Sequence, residues 1–492
     1  MPGEVPKVLF RIEPGYTIQE PSLEIREWSE DNLLVGGTTD DGDVNACHLG
    51  RLAEYQLMRK SIWLDTSGAH AVYVMGKRRS GKTFTLGVLA ESLASSGWSR
   101  QGTSSQAILL VDTMNVFLTM PFLVPEVFGP TSAQAKELGQ WRITAEPLRV
   151  RLFHPHGTAA PPGVTSDRIA IRPSDLGAED WAAIFQVDTF SDPMGQLIAE
   201  VHEKVALEGY TDGQGTKVLP NADFSIEDLL DCLAKDTDIP RYETRTIEGV
   251  RRRLRALRRL SIFSTAGVPI RELFVPGQVS VLMLRDLDYV LRGLLVGIII
   301  KKTMELRSTA DRFERLAAIQ GARAESLLAS NPAAAEQAAT EQAELTHRAA
   351  EGIPRSWILI DEAHNYIPTT GIVASKEPLK KYINEGRNLG LSIAVATQQP
   401  SGLDSSIRRN ADVLIIHAMT MRDDIQAAEG MVNTLVPESV SIGSSQRITS
   451  HVFEQLLRTL PRGYAIVSND EASRVFVAKI RPRFTVHGGR EY

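Results

Sequence analysis

Eight residues, Gly76-Lys77-Arg78-Arg79-Ser80-Gly81-Lys82-Thr83, have the composition and spacing of a loop that holds a triphosphate. A polyphosphate is bound by backbone N–H groups facing a concave turn at a helix N-terminus, where unpaired amides and the helix dipole both favour anions. Gly76 and Gly81 permit the tight path, the Lys82 ammonium reaches the outer phosphates, and the Thr83 hydroxyl is a ligand for Mg2+. Gly76, Arg79, Ser80, Gly81, Lys82, Thr83 and Phe84 are therefore the candidate nucleotide contacts. The competing reading is a glycine turn with no ligand. Arg78 and Arg79 stand mid-loop, where a left-handed backbone costs least with glycine, and they either add phosphate contacts or narrow the pocket.

The second half of such a site needs acids. Asp361 and Glu362 follow the apolar run Trp357-Ile358-Leu359-Ile360, at a strand's carboxyl end, where open α/β sheets place ligands. Asp361 would hold the magnesium, and Glu362 would orient and deprotonate the attacking water. The alternative is a pair of acids capping a helix that begins at Ala363-His364-Asn365. Gln398, at the tip of Ser392–Thr397, is a candidate sensor of the terminal phosphate, against ordinary strand-end capping. Arg387, in Glu385-Gly386-Arg387, is a candidate arginine finger for the transferring phosphoryl, against a solvated or paired surface group.

These residues require particular elements to carry them. The apolar run Ala71–Met75 reads as a buried strand before the loop, and Phe84–Ser95 as an amphipathic helix after it. Further core strands are expected at Ala107–Asp112, Leu148–Phe153, Val279–Leu284 and Val413–His417. A hairpin-like pair is expected at Tyr464–Val467 and Arg474–Ile480.

The order of these motifs, with Asp361-Glu362-Ala363-His364, Ala396-Thr397-Gln398-Gln399-Pro400 and the closing His487-Gly488-Gly489, resembles the HerA branch of the FtsK/HerA DNA-pumping ATPases from about Ala69 onward. The resemblance implies a RecA-like α/β P-loop core in a hexameric ring, with ATP between subunits and double-stranded DNA in the channel. It implies Lys82 and Thr83 for phosphate and metal, Asp361 and Glu362 for metal and water activation, Gln398 as sensor, and Arg387 as a finger acting in a neighbouring subunit. Arg78-Arg79 depart from the family, which usually shows a small residue followed by glycine there. A separate effector is also implied: a nuclease, or a sirtuin-type NAD hydrolase, in DNA-end processing or antiviral defence. The segment Arg481–Gly489 looks like the family's C-terminal tail, which either runs onto an adjacent subunit, where its arginines would approach the nucleotide, or is packed or solvated.

Composition bounds the alternatives. At 492 residues and 43% hydrophobic content the chain suits a large soluble core with insertions. Two cysteines, Cys47 and Cys232, make neither a disulfide framework nor a metal site of usual spacing, so a cytoplasmic location is expected. No apolar window is long enough for a bilayer, the most apolar being Leu291–Ile300, which also speaks against a membrane-bound conjugation pump. A net charge of −6 argues against a protein coated in nucleic-acid contacts, although a ring needs basic residues only in its channel. One dense cationic run exists, Arg251–Arg259 with six arginines, whose apolar positions recur at helical spacing. A solvated or subunit-contacting face is the favoured reading of it, over contact with DNA phosphates.

The expected organisation is a small β-rich N-terminal module over residues 1–66, the ATPase core over 67–188, a helical insertion over 189–268, and the rest of the core over 269–492. About 280 residues separate Lys82 from Asp361, far more than strand–helix connections need, which is why an insertion is required. A helical arm, a hairpin broken near Asn331-Pro332 or a partly disordered segment, is expected at about 309–351, and a tail at about 481–492. The functional expectation is a double-stranded DNA translocase or helicase driven by ATP and Mg2+. The alternative is a nucleotide-stabilised ring scaffold that activates an effector with little translocation.

Overall fold

Short runs of β-branched and aliphatic residues bounded by glycine or acids form most of the central strands, and six of these lie parallel. The computed structural model describes residues 25–29, 32–35, 46–53, 60–95, 106–432, 441–442, 446–447, 450–469 and 474–489. The expected strand Val8–Arg11 and the start of Leu23–Arg26 lie outside them. Two compact units are present: Met1–Leu152 with Leu273–Arg285 and Ile299–Tyr492, and Phe153–Glu272 with Asp286–Ile298.

The first unit is an α/β core of RecA-like P-loop type. Its parallel strands run in the order Val413–Ile416, Ala71–Met75, Leu391–Thr397, Ser356–Ile360, Ala107–Asp112 and Gln278–Met283. The phosphate-loop strand and the acidic strand are thus not neighbours; the glutamine-tipped strand lies between them. All residues of Ala71–Met75, Ala107–Asp112, Ser356–Ile360 and Leu391–Thr397 are buried, as expected of strands covered on both faces.

The sheet continues on the other side through antiparallel pairs. Tyr464–Asn469 pairs with Val413–Ile416 and with Arg474–Ile480, which pairs in turn with Ala46–Leu52. Ser61–Asp65, Asn32–Val35 and Ile25–Ser29 extend it further, so the described strands of the first 66 residues belong to the sheet that carries the phosphate loop.

The helix Lys82–Ala94 differs from its amphipathic expectation: every residue from Thr85 to Leu93 is buried. Strand Ala46–Leu52 packs against it, and residues 481–485 bond to it. Elsewhere in this unit the expected arm is helical on both sides of Asn331. The helices are Tyr289–Leu327, of which the part from Ile299 onward belongs to this unit, and Pro332–Ala349, and the Asn331 side chain accepts from Ala334 N at 3.2 Å. The Arg348 guanidinium lies 4.2 Å from the centre of the Phe313 ring, joining the two helices.

The second unit contains helices Pro193–Glu203, Ile226–Lys235 and Thr244–Arg258, which pack together, and the short antiparallel pair Tyr210–Thr211 with Lys217–Val218. No helix among the described residues is long and apolar enough to cross a membrane.

Candidate nucleotide site

Parallel pairing in register brings distant residues to one edge. Met75 lies level with Thr397 on one side and Ile416 on the other, so Gly76, Gln398 and His417 leave their strands together. Ile360 is level with Val395 and Val111, which sets Asp361 beside Asp112. Lys82, Thr83, Asp361, Glu362 and Gln398, expected to act together, meet at this carboxyl edge.

The loop is built around one carbonyl. Lys77 O accepts from Ser80 N at 3.3 Å, Ser80 Oγ at 2.8 Å and Lys82 Nζ at 2.9 Å. A Cβ on Gly76 (φ +154°) would stand 2.6 Å from Ser80 Oγ and 2.7 Å from His417 Cβ, so only glycine fits. Arg79 adopts the left-handed conformation at φ +65°, a strain of ~1–2 kcal/mol for a side-chain-bearing residue. Lys77, Arg78 and Arg79 point to solvent, whereas Lys82 is 4% exposed.

His417 supports the loop from below, a role its sequence position at a strand end does not reveal. Its Nδ1 faces the Tyr464 carbonyl at 2.9 Å and its Nε2 faces Thr85 Oγ1 at 2.9 Å. Burial holds the ring neutral, with its pKa down at about 4. Since a carbonyl only accepts, Nδ1 carries the proton and Nε2 accepts from Thr85.

The acids are buried and crowded. Asp361 is 1% exposed and receives the Thr83 hydroxyl at 3.2 and 3.3 Å from its two oxygens. Burial, then the neighbouring Glu362 and Asp112 carboxylates, push its pKa up to about 7, against the opposing pull of Lys82 and Thr83. Lys82 in turn is shifted down by burial, only partly offset by Glu362 and Asp361. Asp112, fully buried, accepts from the backbone of Met114, Val116 and Phe117, and burial lifts it to about 6. It was legible only as the end of a strand.

Glu362 has a left-handed backbone at φ +53°. Gln398 Nε2 donates to its Oε1. Its buried Oε2 makes no hydrogen bond among the described residues, and His364 Nδ1 stands 3.5 Å from it. His364 Nδ1 also lies 3.1 Å from Thr397 Oγ1.

A hydroxyl, a buried carboxylate and a second carboxylate with an orphaned oxygen form a hard-oxygen donor set suited to Mg2+, and crowded acids gain from a dication. The N–H groups of the loop at the start of helix Lys82–Ala94 suit a polyphosphate. The residues present thus fit both ATP and magnesium.

Two expected features stand elsewhere. Arg387 pairs with Asp412 Oδ2 at 3.1 Å, and Asp412 also holds Ala71 N at 2.9 Å and His70 Nδ1 at 2.8 Å. Ala71 opens the phosphate-loop strand, so Arg387 lies at the amino edge, ~15 Å from the loop at about 3.3 Å per residue. The second is the tail: Arg481 and Arg483 are buried against Glu91 of their own chain, the packed reading. Arg481 Nη1 donates to Glu91 Oε2 at 2.9 Å and Arg483 Nε to Oε1 at 3.1 Å, while the backbone amides of Phe484 and Thr485 add bonds at 3.3 and 3.1 Å. Phe84 meets His487 edge-on at 5.4 Å between ring centres.

No known family pattern and no curated protein matches the chain. Among solved structures it is similar to VirB4 of Thermoanaerobacter pseudethanolicus, at 12% identity and TM-score 0.47, over 90% of this chain and 97% of that one. It is also similar to the bacterial conjugative coupling protein TrwB, at 14% and 0.44, over 86% and 87%. The genome packaging NTPase B204 from Sulfolobus turreted icosahedral virus 2, in complex with AMPPCP, gives 9% and 0.26 over 84% and 97%. At these scores the likenesses assign no family, and the fold assignment rests on strand order and the loop.

Proposed function

We propose that this chain is a magnesium-dependent ATPase of the FtsK/HerA type that assembles into a hexameric ring and drives double-stranded DNA through it. The observation that carries the reading is the gathering of Lys82, Thr83, Asp361, Glu362 and Gln398 at one sheet edge, with buried charges that a metal-bound triphosphate would balance. Lys82 and the loop amides orient the phosphates; Thr83 and Asp361 hold the metal. Bound Mg2+ supplies charge neutralisation at the phosphates. Glu362 takes the proton of a water that attacks the terminal phosphorus, and ADP leaves with the bridging oxygen. Gln398 links the two events, because a terminal phosphate that draws its amide frees Glu362 Oε1 for that water.

Arg387, half-exposed at the opposite edge, is the group we assign to a neighbour's site in the ring. A separate cytoplasmic effector, a nuclease or a sirtuin-type NAD hydrolase in DNA-end processing or antiviral defence, completes the proposal. A ring scaffold that turns over slowly is the second reading, favoured by the strained Arg79 in the loop. ATPase rates with and without duplex DNA separate the two. The motor reading expects DNA stimulation, and a loss of about 10²–10³ in turnover for Glu362→Gln with ATP still bound. Slow turnover indifferent to DNA, with effector activation that survives this substitution, would establish the scaffold instead.

A further inference from the structure

The cationic helix of the second unit, Thr244–Arg258, holds six arginines and one glutamate, Arg259 follows it directly, and these seven arginines divide into two sets. One set is engaged. Arg251 pairs with Glu248, Arg258 lies 3.8 Å from Glu227, and Arg253 donates to Met194 Sδ at 2.7 Å with its guanidinium over the Phe185 ring. The other set is exposed and has no ion-pair partner among the described residues: Arg255 and, aligned with one another, Arg245, Arg252 and Arg259.

These three recur every seven residues, on one face, with Gly249 and Ala256 between them. Apolar Val250, Leu254 and Leu257 face the helical core instead. The stripe borders a cleft of about 450 Å3 whose walls include Arg245, Gly249, Arg252 and Arg253 on this helix, and Asp192 and Met194 at the start of Pro193–Glu203. Gly249 makes the approach of the two helices possible, because a Cβ there would stand 2.7 Å from Met194 Sδ. Asp192, the one carboxylate in the wall, is already engaged as helix cap, accepting from Met194 N at 2.8 Å.

We propose that this stripe and cleft form a second nucleic-acid site, in which Arg245, Arg252 and Arg259 contact the phosphates of duplex DNA. Length selects the ligand class. From Arg245 to Arg259 the helix rises about 21 Å at 1.5 Å per residue, too long for a mononucleotide. It matches roughly six base pairs at about 3.4 Å each. Exposed Ala256, between Arg252 and Arg259, leaves room there for a broad backbone, and the stripe itself carries no aromatic ring on which unpaired bases would stack, which favours duplex over single strand. The site deepens the proposed motor function and rests on it, yet it lies outside the nucleotide loop and has its own test.

Binding of the full chain to a fluorescent 30-base-pair duplex is measured between 50 and 200 mM salt, for the natural chain, for Arg245→Gln/Arg252→Gln/Arg259→Gln, and for the control Arg251→Gln/Arg258→Gln. Each lost phosphate contact lowers the slope of log affinity against log salt by about 0.9, so the triple variant should lose about 2.7 in slope and about five-hundredfold in affinity near 0.1 M salt, while the control changes less. DNA-free ATP turnover should stay as in the natural chain. A triple variant with unaltered slope, or a control that loses as much, overturns the site and leaves the motor reading standing. Binding of an acidic polypeptide such as polyglutamate in preference to duplex also overturns it. A natural chain that neither binds duplex nor hydrolyses ATP removes the motor reading as well.

Discussion

The helix Lys82–Ala94 carries buried charge near both ends, and the two ends treat it in opposite ways. At Glu91 the carboxylate is fully enclosed and saturated: two guanidiniums, two backbone amides and the Thr485 hydroxyl all donate to it. At Lys82 the ammonium and Asp361 are buried and Glu362 partly so, but they are under-compensated, with Lys82 shifted down, Asp361 shifted up and Glu362 Oε2 without a hydrogen bond among the described residues. Completed charge belongs to architecture, and incomplete charge marks where a ligand belongs. One helix therefore anchors the fold with its rear and leaves its front poised for an ion.

The contrast has a sign that stability measurements can read. Glu91→Gln leaves two buried guanidiniums facing a neutral amide and should cost about 3–5 kcal/mol in denaturant unfolding; an effect below about 1 kcal/mol would break the comparison. Asp361→Asn should do the reverse in nucleotide-free and magnesium-free protein, raising stability by about 1–3 kcal/mol above pH 7. The pH window follows from the raised pKa. An acid whose folded pKa exceeds its unfolded value contributes stability that is complete below about pH 4 and lost as pH rises to about 7. The advantage of the variant should accordingly vanish near pH 4, and in the natural chain magnesium affinity should climb between pH 6 and 8 as the proton leaves. A pH-independent difference between the two proteins would refute the assignment. Smallest of all, Arg79→Gly should relieve the left-handed backbone and add about 1 kcal/mol or less. If the loop instead loosens and ATP binding weakens, the arginine is contributing a phosphate contact.

What the sequence revealed was local. The phosphate loop, the acids after Ile360 and the glutamine after Thr397 were readable because each motif sits at the end of its own apolar strand. Their convergence was expected from the order of the motifs and the resemblance and not from any local pattern, since strand order depends on pairings between residues more than 300 apart, such as Ala71 with Ile393. His417 was visible only as the last residue of a strand, and nothing local tells that its ring supports the turn beyond the neighbouring strand. Glu91 offered one overlooked signal, an acid in a stretch where Leu86, Val88, Leu89 and Leu93 are all apolar. A carboxylate in such company needs a cation, and Arg481 and Arg483 were the buried ones. Arg387 illustrates the opposite limit: its residue type suggested chemistry, while its place at the amino edge follows only from the fold.

The enclosure of Glu91 also orders events during synthesis. Arg481 is made 390 residues after Glu91, a delay of about 20–80 s at roughly 5–20 residues per second. Throughout that interval the helix that begins at the phosphate loop carries an acid without the two guanidiniums that enclose it. The native burial of this carboxylate as an anion therefore follows the synthesis of Arg481 and Arg483.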